Sequence, residues 1–150
     1  MSKAFTSTKI YTYSSGFSCA FRQWRSETHC RWIHGYALQF EFTFAAKELD
    51  EKNWVVGFGD LKELKEWLKW QFDHTLCVAK DDPHLEEFQR LAEQDLCDLR
   101  ILDQVGCEKF AELVFDKASE IVNSIYGDRC WVEKATVREH DSNSATCQLV

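Results

Sequence analysis

The chain has 150 residues, 45% of them hydrophobic and 14% aromatic, which is enough apolar surface for one core and excludes a disordered chain. A net charge of −7 with no basic stripe argues against a general nucleic-acid binder, and no stretch is apolar enough to span a membrane. Met1 to Phe5 lacks the apolar run of a signal peptide. Together with seven cysteines, an odd number containing no CxxC pair, this predicts reduced thiols in a cytoplasmic protein.

Residues 5–21 read as extended chain, rich in Thr, Tyr, Ile and Phe and interrupted at Ser14-Ser15-Gly16. Residues 36–44 alternate strictly, with Tyr36, Leu38, Phe40, Phe42 and Phe44 on one face of a strand. Asp60 opens a helix with Glu63 as the second half of a capping box, and Leu61, Leu64, Leu68 and Phe72 form its buried stripe. Asp82-Pro83 reads as N-cap and first residue of a short helix carrying Leu85, Phe88 and Ala92. A third helix runs from about Cys107 to Tyr126, turns Phe110, Val114, Ala118, Ile121 and Ile125 inward, and ends at Gly127. Trp131 to His140 is a last strand; period two puts Trp131, Ala135 and Val137 on the side of Glu133 and Glu139. Strands grouped around helices predict a single α+β domain over 1–150, with an antiparallel sheet.

The densest chemistry lies between residues 21 and 36. Arg22, Arg25 and Arg31 are either forks for an anionic ligand or solvated loop cations. Cys30 stands four residues before His34. The pair is a nucleophile or base with its activator, two metal ligands, or a buried thiol beside a satisfied imidazole. Asp73-His74 follows the first helix. It is an acid–base pair with a fixed tautomer, or a helix-terminal histidine at the dipole's negative end. Glu139 is either an interior carboxylate needing two N–H donors, which an aminopyrimidinone ring supplies, or a residue past the sheet edge.

These pieces occur in a recognisable order: Phe17-Ser18-Cys19-Ala20-Phe21, Cys30-Arg31-Trp32-Ile33-His34-Gly35-Tyr36, Trp54 to Lys62, Asp73-His74, Gly106-Cys107-Glu108, and Arg138-Glu139-His140. Over residues 5–146 the chain resembles the 6-pyruvoyl-tetrahydropterin synthase / 6-carboxy-tetrahydropterin synthase family. The resemblance implies a T-fold, with a four-stranded antiparallel sheet, helices packed on one face, and a barrel-forming homohexamer with sites between subunits. It implies a lyase acting on 7,8-dihydroneopterin triphosphate, in pterin biosynthesis or on the route to queuosine and other deazapurines. Cys30 would be the base, Asp73 and His74 the proton relay, Glu139 with Glu108 the anchor of the pterin ring, and the arginines the partners of the triphosphate. The family holds zinc with three histidines, and the matching positions are Phe21, His34 and Tyr36. Only His34 is retained, with His29, Cys30 or Tyr36 as candidate replacements. Gly57 replaces a family aspartate, which implies looser support of the site. The alternatives are a T-fold protein that binds a pterin or purine-like ring without turnover, and an interaction module with no small-molecule site.

Overall fold

The alternation at 36–44 is realised within one long strand that organises the whole sheet. A computed structural model describes residues 1–150. In chain order its elements are β1 (Phe5–Tyr11), β2 (Phe17–Phe21), β3 (His34–Ala46), α1 (Lys62–Phe72), β4 (Thr75–Ala79), α2 (Leu85–Glu93), β5 (Leu99–Leu102), α3 (Cys107–Tyr126), β6 (Cys130–His140) and β7 (Asn143–Gln148). Antiparallel β2 lies along the first part of β3, from Phe21 opposite His34 to Phe17 opposite Leu38. Antiparallel β1 takes over from Tyr11 opposite Phe40 to Phe5 opposite Ala46. Gly16, at φ 80°, makes the turn between these two strands in a conformation that side chains disfavour. On the other edge β6 pairs with β3, and β7 with β6, both antiparallel.

The sheet is larger and more mixed than the expected four antiparallel strands. Parallel β4 adds to β2, and parallel β5 to β4, giving seven strands in all. The reason is visible in β4, whose five residues Thr75-Leu76-Cys77-Val78-Ala79 are all buried. Cys77 and Ala79 face the main core, while Leu76 and Val78 meet Phe88 of α2 on the opposite side. A strand covered on both faces carries no alternation to read. The helices therefore do not all share a face: α1 and α3 cover the main core, and α2 covers the back of β4.

In the main core, Leu64, Leu68 and Phe72 of α1 and Phe110, Val114, Ala118 and Ile121 of α3 pack on the inner face of β3. Rings run in a chain from core to sheet end: Phe40 to Phe72 at 4.9 Å, Phe72 to Phe110 at 5.2 Å, Phe110 to Phe21 at 5.1 Å. The last two of these pairs are edge-on, and such contacts add to the area they bury.

Several local expectations are corrected. A short 3₁₀ turn, Phe58–Leu61, precedes α1, and no side chain caps that helix because Asp60 is bound to Tyr126 instead. The second helix starts at Leu85, and Asp82 accepts the His84 amide in the turn before it. Ile125 is exposed and Val122 takes the inward place. In β6, Thr43 is opposite Lys134 while Phe44 is opposite Val132, so Glu133 is a bulged extra residue. The bulge turns Trp131 and Glu133 away from the face of Ala135, Val137 and Glu139.

Candidate functional site

At the start of β3 a cavity of about 500 Å³ opens, a size suited to a bicyclic ligand with a side chain. It brings together Cys30, His34, Tyr36, Glu108 and Glu139 around the ring of Phe21. His34 and Tyr36 project from alternate residues of β3, and Phe21 ends the neighbouring strand directly opposite His34. Glu108 belongs to the first turn of α3, where the helix dipole favours a carboxylate. Glu139 is placed by a second bulge: Arg138 pairs with Ser144 and His140 with Asn143, leaving Glu139 unpaired with β7 and turned to the cavity. Burial pushes its carboxyl above the usual range, and the charge of Glu108 adds to this, against smaller opposing effects of His140 and His34.

Cys30 comes from the loop between β2 and β3. The Gln23 amide donates to the Cys30 carbonyl at 2.8 Å, and the Gln23 side chain donates to the Val105 carbonyl at 3.3 Å. Gly106, at φ 116°, permits that approach, because a Cβ there would fall 2.0 Å from Gln23 Nε2. The loop is thereby tied to the start of α3, the helix that carries Glu108. Gln23 and Cys107 also line the cavity, as do Ser142 to Ser144 of the β6–β7 hairpin, and sequence reasoning gave none of them a role. Burial, with the charges of Glu139 and Glu108, pushes the Cys107 thiol up to about 12, and it donates to the Val137 carbonyl at 3.1 Å. It is a protonated packing group, not a second nucleophile.

The structure does not bring the three arginines to the cavity. Both ends of the Arg22 fork are held at 2.8 Å by Asp82, whose side chain is 1% exposed. Arg25 binds Asp81 and stacks on Trp24, with 4.1 Å from guanidinium to ring centre. Arg31 donates to the carbonyls of Glu27 and Thr28 and stacks on Trp32. His29 lies in the exposed turn beside Cys30 and does not line the cavity.

Asp73 and His74 are also outside it. His74 Nδ1 donates to Asp73 at 2.6 Å, which leaves Nε2 with its lone pair. The His74 amide is anchored to the Ser18 carbonyl, and the residue sits at φ 57°, a strained backbone for a non-glycine residue. Its imidazole is 84% exposed. Ser18 is three residues before Phe21 on β2, roughly 10 Å along the strand. An oriented, solvent-facing imidazole is thus displayed beside the cavity of its own chain, not within it.

A larger groove of about 720 Å³ lies near the far end of β3, lined by Asp50, Trp54, Gly57, Asp60 and Tyr126, and it contains neither thiol nor imidazole. Gly57 belongs here and leaves the support of the cavity untouched. Its amide donates to the Tyr126 hydroxyl at 2.9 Å, which donates to Asp60 at 2.5 Å. A Cβ on Gly57 would come within 2.8 Å of that carboxylate. The missing side chain is the space the pair occupies. Burial and the Asp60 bond push the Tyr126 phenol up to about 12.

The three positions that would hold zinc in the resembled family form an aromatic cluster here. Ring centres lie 5.1 Å apart for Phe21–His34, 6.1 Å for Phe21–Tyr36 and 5.5 Å for His34–Tyr36. Phe21 has no lone pair, and burial with the Glu139 charge pushes the Tyr36 phenol up, so it stays protonated. No group of three His, Cys, Asp or Glu side chains converges on a point able to hold a metal ion. This donor set does not fit tetrahedral zinc.

Comparison with known proteins agrees with the fold and the family. The chain is 38% identical over 60 residues to a 6-carboxy-5,6,7,8-tetrahydropterin synthase of Rickettsia bellii, covering 39% of this chain and 44% of the relative. It is 31% identical over 70 residues to that of Rickettsia conorii, covering 46% and 51%. The matches thus span about half the length of these curated relatives. Among solved structures, an uncharacterised protein from Wolinella succinogenes superposes with a TM-score of 0.84 over 99% of this chain and 100% of its own, at 16% identity. The 6-pyruvoyl tetrahydropterin synthase of Plasmodium falciparum gives 0.70 over 97% and 98%, at 14% identity. At those identities the superpositions speak for the fold alone. The sequence model described as 6-pyruvoyl tetrahydropterin synthase matches residues 10–149, which takes in every strand and helix but the start of β1, and the chain belongs to that family.

Proposed function

We propose that this chain is a lyase of the tetrahydropterin synthase type, acting on a reduced pterin with a three-carbon side chain, 7,8-dihydroneopterin triphosphate or a close relative. The observation that carries the reading is the convergence of Cys30, Glu108 and Glu139 in one cavity. The half-buried Glu139 carboxylate accepts two N–H groups from the aminopyrimidinone edge, a charge-assisted pairing that fixes the ring. Cys30 then stands where it can take a proton from the side chain. The His74 imidazole, with its tautomer set by Asp73, is the relay for the other face: its Nε2 takes up a proton from the solvent it faces and passes it to the substrate.

Because that imidazole is exposed and outside its own cavity, it is assigned to a cavity on a second copy of the chain, so the working unit is a homo-oligomer, the expected hexamer. Arg31 is the loop cation left for phosphates that extend beyond the cavity, since Arg22 and Arg25 are paired with Asp82 and Asp81. No step is routed through zinc. The elimination of triphosphate to a pyruvoyl product and the side-chain cleavage to a carboxy product, the latter on the route to queuosine, both remain within this chemistry.

A second reading, a T-fold protein that binds the ring without turnover, is favoured by Phe21 and Tyr36 at the ligand positions. Incubation with 7,8-dihydroneopterin triphosphate, with products read by mass, separates the two. Turnover that falls about 10²- to 10⁴-fold in Cys30→Ala supports the lyase. A bound but unaltered pterin supports the second reading, and neither binding nor turnover rejects both.

A further inference from the structure

The positions that fail to make a zinc site make something else. Phe21 is 1% exposed and seated edge-on against Phe110 at 5.1 Å, so it is part of the core and cannot swing aside for an ion. His34 Nδ1 lies 2.7 Å from the Trp32 carbonyl. A carbonyl only accepts, so Nδ1 carries the proton and Nε2 a free lone pair. Tyr36 is half-buried, packed edge-on against His34 at 5.5 Å and flanked by His140 at 5.9 Å. The wall of the cavity therefore presents a phenolic O–H donor beside an imidazole acceptor, both orientationally fixed by aromatic contacts.

We infer that this chain holds the oxygenated side chain of its ligand without a metal, through the Tyr36 hydroxyl as donor and His34 Nε2 as acceptor. The inference rests on the pterin-class reading above and names what grips the ligand's side chain. A vicinal diol matches the pair: one oxygen accepts from Tyr36, and the other hydroxyl donates to His34. A metal would polarise both oxygens alike. This pair distinguishes them, and it leaves the proton of one hydroxyl already pointed at the His34 ring nitrogen. Phe21 supplies the apolar floor that excludes water from the contact.

Two measurements test this, one of them independent of any pterin. Untagged protein is titrated with zinc against a chromogenic chelator, beside a Phe21→His/Tyr36→His double variant that rebuilds three imidazoles. The wild-type chain should leave the zinc on the chelator, and the double variant should take about one zinc per chain. One zinc per chain in the wild type overturns the inference. The second measurement uses EDTA-treated wild type and Tyr36→Phe, which keeps the ring and removes only the donor, with fluorescence-monitored binding of 7,8-dihydroneopterin and of unsubstituted pterin. Loss of the phenol should weaken the first about tenfold and the second less than twofold.

Equal weakening of both ligands assigns Tyr36 to the ring and overturns the pairing. Wild type that binds neither pterin rejects the parent reading and this pairing with it, while the zinc titration still decides whether the site is metal-free. Should the double variant fail to fold, as judged by circular dichroism, the wild-type titration and Tyr36→Phe suffice.

Discussion

Arg22 looks in the sequence like a ligand-binding residue and in the structure like a clamp, and one substitution separates the two. Its fork meets Asp82 through two 2.8 Å bonds, with the arginine side chain 17% exposed and the carboxylate 1% exposed. Arg22→Ala leaves a buried carboxylate whose remaining partner is the His84 amide. Breaking a buried pair from one side costs about 3–5 kcal/mol. Because water can reach the vacated arginine site, the lower end, about 3 kcal/mol, applies. For a domain of this size each kcal/mol moves Tm by about 2–4 °C, so a fall of about 6–12 °C is expected.

The pH dependence has a definite sign. Burial alone would raise the Asp82 carboxyl, but the Arg22 fork and the His84 amide outweigh it and hold it below the usual range. A depressed carboxyl contributes stability that is complete above the unfolded value, about pH 4, and drains as pH falls through the folded one. Thermal melts by circular dichroism should therefore show the gap between wild type and Arg22→Ala narrowing from neutral pH toward about pH 3. Arg22→Met/Asp82→Leu should recover much of the loss. A variant melting within about 2 °C of wild type, yet binding a phosphorylated pterin far more weakly, would refute the clamp.

Other substitutions probe the cavity and its surroundings. Glu139→Gln should weaken pterin binding by about 2 kcal/mol, roughly 30-fold, because a neutral amide cannot accept both ring N–H groups. Since burial and Glu108 raise the Glu139 carboxyl, its ionisation opposes folding; stability it gives at low pH is lost as pH rises through the raised value. The same variant should thus melt no lower than wild type at neutral pH, which a melt beside the binding titration checks. Tyr126→Phe removes the link between the Gly57 amide and Asp60 and should cost about 1–2 kcal/mol in urea unfolding, with pterin affinity unchanged. Cys30→Ala and His74→Ala, each inactive alone, should regain activity at roughly a quarter of the sites when co-refolded at equal ratio, half times half on random mixing, if the site spans two copies. Activity that stays at the level of the separate variants would place Cys30 and His74 on one chain or outside the reaction.

Those parts of the fold with one buried face were legible in the sequence. Tyr36 to Phe44 alternates because the other face of β3 is not core, and α3 shows its stripe from Phe110 to Ile121 because one side faces solvent. Strand β4 hid because Leu76 and Val78 are covered by α2 while Cys77 and Ala79 face the main core. The polar hairpin strand β7 hid for the opposite reason, having little to bury. Period counting along β6 failed at Glu133, since a bulge is a property of the pairing and not of the strand itself.

The site divides in the same way. Cys30, His34, Tyr36, Glu108 and Glu139 were readable as an ordered series of motifs, and the structure gathers them. Arg22 and Arg25 misled because their partners, Asp82 and Asp81, lie 60 and 56 residues away. Gln23 was silent because its role depends on the missing Cβ of Gly106.

The departures from the family pattern are each packed. A site that had merely lost its ligands would show voids or stranded polar groups where the histidines and the aspartate belong. Instead Phe21 is seated on Phe110 with its ring almost wholly enclosed, Tyr36 bridges His34 and His140, and the space at Gly57 is taken by the hydrogen-bonded Asp60–Tyr126 pair. The two buried side-chain polar atoms without a partner, Ser7 Oγ and Tyr13 Oη, are not among the groups lining the cavity. Core substitutions that leave gaps or strain cost several kcal/mol, a large share of a domain's net stability. Arrangements so complete make Phe21 and Tyr36 coupled choices: restoring one histidine alone would break the ring cluster without completing a three-nitrogen set, so the two positions must change together for zinc to return.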